Sequence, residues 1–164
     1  MKKPITIIAL IVIVLLGLMF FGKRNAATGP STAQTTVAST LTASEQLYDF
    51  GTISMVNGKV SHMFKIANPT ATDILVEDLT TSCMCTAAYF TDGTVKKGPF
   101  GMPGMGYVPK ANMLIKAGEA KDIEVVYDPN AHGPAGVGTI DRLVYLTSAS
   151  AGTLQLEIKA VVTP

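Results

Sequence analysis

"VSHMFKIA", residues 60–67, changes character at every step: Val60, His62, Phe64 and Ile66 alternate with Ser61, Met63, Lys65 and Ala67. Successive side chains of an extended chain point to opposite faces, so a two-residue period marks a strand with one buried face. The same period recurs downstream. Ile123, Val125 and Tyr127 alternate with Asp122 and Glu124, and Leu154, Leu156, Ile158, Ala160 and Val162 alternate with Thr153, Gln155, Glu157 and Lys159. Further strands fit at 46–50, 73–80, 112–116 and 139–147. Turn formers separate them at Asn57-Gly58, Asn68-Pro69, Ala117-Gly118, Asp128-Pro129-Asn130 and Ala151-Gly152. No amphipathic helical stretch competes with these strands after Gln46. The expected fold is an all-β antiparallel sandwich of about seven strands. It lacks the Cys–Trp–Cys core of antibody domains, because the chain has no tryptophan.

Working outward, residues 87–110 (AAYFTDGTVKKGPFGMPGMGYVPK) do not alternate and are dense in Gly and Pro. They read as a Gly/Pro/Met-rich insertion, long enough to be functional. Upstream, Ile5–Phe21 carries no charge and is flanked by Lys2 and Lys3 before and by Lys23 and Arg24 after. A spanning helix needs about 17–25 apolar residues, whereas a signal-peptide apolar region has about 7–15. Residues 1–24 are therefore expected to form an uncleaved N-terminal transmembrane helix, a signal anchor; cleavage after Ala33 is the alternative. Residues 25–44 have no charge and are rich in Ser, Thr and Ala, as a flexible linker would be. The domain at 45–164 is expected on the extracytoplasmic side, periplasmic or extracellular. It carries nine basic and twelve acidic side chains, a net of −3. A mildly acidic domain without a basic cluster excludes nucleic acid as the expected partner. The cytoplasmic membrane and another exported protein take its place.

Five segments appear in order: "YDFGTI" (48–53), "VSHMFKIAN" (60–68), "ILVEDLTTSCMCT" (74–86), "IKAGEAKDIEVVYDP" (115–129) and "LQLEIKAVV" (154–162). Together they resemble a large bacterial family of exported Ig-like domains, domain of unknown function 1573. More distantly the chain is similar to the Ig-like modules of cilia- and centrosome-associated proteins. Two positions depart from the family pattern: Met84 stands where Gly is usual, and Ala117 where Pro is usual. The resemblance implies an Ig-like sandwich and export, and brings no established reaction.

The only cysteines, Cys83 and Cys85, flank Met84. On an extended backbone their Cβ atoms lie too far apart for a disulfide, so a bond between them requires a tight turn, which Gly would ease and Met84 hinders. A redox or disulfide pair, a soft-metal site and plain packing all remain open. Copper(I) suits Cys and Met ligands, and Met102 and Met105 in "GMPGMG" would complete such a site. Loop anchoring is the simpler role for those methionines. His62 lies on the apolar face of its strand and is expected to be a satisfied histidine rather than a ligand; Met63 is expected to be a surface or packing residue, and His132 to be solvated. No nucleophile-elbow, zinc or phosphate-loop signature is present, so no enzyme, catalytic residue or cofactor is expected. The leading expectation is a membrane-anchored interaction module, with an extracytoplasmic copper-binding protein as the alternative.

Overall fold

The computed structural model describes residues 39–164. The expected signal anchor at 1–24 and most of the linker lie outside them. Among the described residues no helix is long and apolar enough to cross a membrane.

Among the described residues eleven strands form, in chain order β1 (Thr42–Ala43), β2 (Leu47–Ser54), β3 (Val60–Ala67), β4 (Ile74–Val76), β5 (Asp78–Thr81), β6 (Thr86–Asp92), β7 (Val95–Phe100), β8 (Met113–Ile115), β9 (Ala120–Tyr127), β10 (Gly138–Ser148) and β11 (Gly152–Thr163). One sheet has five strands in the order β1-β3-β9-β6-β7, a second has four in the order β2-β11-β10-β5, and β4 pairs with β8 alone. Phe64, Ile66, Phe90, Ile123 and Val125 of the first sheet meet Val144, Leu146, Leu156 and Ile158 of the second in one buried cluster. The fold is an all-β, Ig-like sandwich. The alternation in β3, β9 and β11 selects the buried faces as expected: Phe64 is fully buried, and Met63 on the other face is 45% exposed.

Three features differ from the expectation. The strand read at 73–80 is split at Glu77, whose carbonyl accepts the Ala111 N–H at 2.8 Å. β4 then pairs with β8, and β5 with β10. The stretch 87–110 is only partly an insertion. Residues 86–92 form an interior strand, with Phe90 opposite Ile123 of β9, and residues 95–100 complete a hairpin at the sheet edge. β6 escaped the pattern because both of its faces carry apolar or small residues. β7 escaped it because it contains Gly98 and Pro99, and an edge strand tolerates proline. Finally, the sandwich is not wholly antiparallel: β2 runs parallel to β11. Their register shifts between Lys159 and Val161, where β2 fits one extra residue around Gly51. Gly51 has φ +67 and donates its N–H to Asp49 Oδ1 at 2.8 Å. The Asp49-Phe50-Gly51 stretch is thus a bulge.

Candidate functional site

Ser82–Cys85 carries the chain from one sheet to the other at one rim of the sandwich. On the β10 side, Ser82 donates its N–H to Leu143 O and its Oγ accepts the Leu143 N–H, both at 2.9 Å. On the β9 side, the Asp128 N–H donates to Cys85 O at 2.8 Å. The corner between them is a turn in which the Thr86 N–H donates to Cys83 O at 3.1 Å. This turn brings the two cysteine Cα atoms to 5.2 Å and their sulfurs into a disulfide. Two residues of extended strand would separate them by about 6.6 Å. Met84 does not obstruct the turn, because Asn112 is the only non-glycine residue with positive φ among the described residues.

The two sulfurs have different surroundings. Cys83 is partly exposed, and its Sγ lies 3.2 Å from Nε2 of the exposed His132. The Cys85 N–H also donates to it at 3.3 Å. Cys85 is 2% exposed, and its Sγ accepts the Arg142 Nε–H at 3.2 Å. Arg142 shares the parity of Ile140 and Val144 in β10, the face that points into the core. Its guanidinium also donates from Nη1 to Asp141 O at 2.8 Å. Tyr127 lies within its electrostatic reach. Burial pushes the Tyr127 phenol above its ordinary value, the Arg142 charge opposes that shift, and Asp128 adds to it.

A disulfide closing three residues is a weak staple. Loop-closure entropy assigns it about 1.6 kcal/mol, against about 3 kcal/mol for a fifteen-residue loop.

Met102 and Met105 follow β7 on the same rim, where the Thr81 N–H donates to Gly101 O at 3.2 Å. They share a cleft of about 190 Å³ with Met84, Thr86, Tyr107 and Val108. Neither cysteine lines it. The alternative of a copper site would need the Cys83–Cys85 bond reduced first, because the two sulfurs are bonded to each other. His132, expected to be merely solvated, is the residue that completes a three-donor group with Cys83 and Cys85, all within 4.8 Å. His62 is satisfied, as expected. Its Nε2 lies 2.6 Å from Glu45 Oε1, and its ring stacks on Tyr48 at 3.5 Å between centroids. Met63 is the acceptor for the Thr91 hydroxyl at 3.5 Å. Arg142 was missed from the sequence. The available signal was a charged residue at an inward position of an otherwise apolar strand face.

No curated protein sequence matches the chain. Among solved structures, a protein of unknown function from Porphyromonas gingivalis W83 aligns with TM-score 0.55 and 15% identity over 80% of this chain and 51% of that one. The chain thus spans about half the length of that protein. A family 123 glycoside hydrolase from Clostridium perfringens aligns with TM-score 0.51 and 6% identity, over 72% of this chain and 23% of that one. The PapD-like domain 7 of human CEP192 gives TM-score 0.43 and 12% identity, over 77% and 87%. At such identities the likeness to the first two is one of fold alone. Residues 41–113 match the family described as "Protein of unknown function (DUF1573)", the same family that the sequence motifs resemble.

Proposed function

We propose that the chain is a membrane-anchored, extracytoplasmic Ig-like module that binds another exported protein at this rim. The observation that carries this reading is the methionine cleft. Tyr107 is 91% exposed, Met105 58% and Met84 50%, all around one concavity. Apolar side chains grouped in this way mark interaction sites, and flexible thioethers adapt to the surface they meet. The sheet edge is a poorer docking surface. β7 carries Lys96, Lys97 and Pro99, which discourage addition of a further strand. Anchoring and export rest on the uncharged run Ile5–Phe21 and the neutral linker behind it.

Two measurements test this reading. A photo-crosslinking residue at position 105 of the full chain in cells should give one defined adduct, lost in a Tyr107→Asp background. The same probe at Val95, the first residue of β7 beside the hairpin turn at the far end of the sheet, should give none. Equal adducts from both positions, or none from 105, would discard the cleft. A reporter fused after Pro164 should be active only when exported, and cytoplasmic activity would discard the placement.

A further inference from the structure

The surroundings of the Cys83–Cys85 bond give it a chemical direction. The partly exposed sulfur faces a ring nitrogen able to carry a proton, and the buried sulfur faces a guanidinium. We propose that this pair is a thiol–disulfide exchange centre that oxidises a dithiol of another polypeptide, with Cys83 as the sulfur attacked and Cys85 as the leaving group. Exchange at this bond does not depend on what occupies the methionine cleft.

In the first step a substrate thiolate attacks Cys83 Sγ. A substrate-sulfur–Sγ bond forms, the Cys83–Cys85 bond breaks, and its electron pair passes to Cys85 Sγ. The contact with Arg142 Nε–H at 3.2 Å is weak while that sulfur is neutral and becomes charge-assisted once it is a thiolate. An interaction that strengthens as charge develops lowers the barrier instead of merely holding the ground state. In the second step the other substrate thiolate attacks the first substrate sulfur. The substrate disulfide forms, and the mixed bond breaks with its pair on Cys83 Sγ. Two electrons have moved from the dithiol to the pair. Of the two protons shed by the substrate thiols, one reaches Cys83 through His132 and the other goes to solvent. Cys85 stays a thiolate against Arg142. Access supports the same order, since Cys85 is 2% exposed and a nucleophile from solvent meets Cys83 first.

The test uses the full chain in mild detergent, with dithiothreitol and glutathione as probes and alkylation mass shifts as the readout. Millimolar dithiothreitol should reduce the bond while the circular dichroism spectrum remains native. Reduction only on unfolding would mean a cross-link without exchange chemistry, and would overturn the proposal. With glutathione disulfide, Cys85→Ser should accumulate a mixed disulfide on Cys83, whereas folded Cys83→Ser should accumulate none on Cys85. Equal trapping on both would overturn the direction. Arg142→Gln should slow reduction about tenfold, with Arg142→Lys recovering part of the rate; a Gln variant within twofold of the parent would remove Arg142 from the mechanism. If Arg142→Gln does not fold, the trapping experiment decides alone. Stoichiometric zinc or copper that holds the reduced pair unreactive would overturn exchange in favour of a metal site.

Discussion

Asn68 is fully buried, and both polar atoms of its side chain are engaged. Nδ2 donates to Thr72 O at 2.8 Å, Ile115 O at 3.0 Å and Lys116 O at 3.2 Å, while Oδ1 accepts from the Thr70 N–H at 3.0 Å and the Thr70 hydroxyl at 2.7 Å. One amide thereby ties the loop after β3 to the end of β8. Removing it takes a donor from three carbonyls, of which Thr72 O keeps the Thr70 hydroxyl and Lys116 O keeps the Glu119 N–H, so Asn68→Ala should cost about 1–3 kcal/mol in urea titrations. A loss below about 1 kcal/mol would mean that water replaces the amide. In the sequence, Asn68-Pro69 reads only as a turn former; the carbonyls it serves lie up to 48 residues away. The same limit hides the charged half of the candidate site. The strand containing Arg142 is legible, and so is the inward parity of that residue. The sulfur it meets comes from 57 residues earlier, and no local pattern encodes that meeting.

The β6–β7 hairpin is held by a close approach at Gly98. This residue has φ +141, and a Cβ there would lie 2.8 Å from Tyr89 Cδ1 and 2.9 Å from Ala88 O. Gly98→Ala combines that clash with a backbone region that side chains avoid, and should cost about 1–3 kcal/mol by thermal or chemical unfolding. A neutral result would show that the hairpin yields at the edge. Strands with one wet face, such as β3, β9 and β11, are legible because water and core impose opposite chemistry on neighbouring residues. β6 is not, since it lies between β9 and β7 with small or apolar side chains on both faces. Pairing partners are beyond reach for a different reason. The break at Glu77 sends two halves of one apparent strand to different sheets, and only the three-dimensional ladder reveals it.

Tyr127 couples the core to pH. It is 1% exposed, and burial raises the phenol above its ordinary value near 10. A group whose value is raised on folding contributes its full stabilisation below its unfolded value and loses it as pH climbs through the folded one. The domain should therefore lose stability from about pH 10 upward. Tyr127→Phe should flatten that alkaline limb in urea midpoints measured against pH, and an unchanged limb would assign it to other groups. The parallel pairing of β2 with β11 has a consequence for the molecule as a mechanical object. The Thr40 N–H donates to Ala151 O, so the chain enters the sandwich beside the turn between β10 and β11, at the end opposite the disulfide. A partner held at the rim and a pull from upstream of Ser39 would thus act along one line through the strands. Ladder bonds lie across that line, so the β1–β3 and β2–β11 pairs would share the load in shear instead of peeling open one at a time.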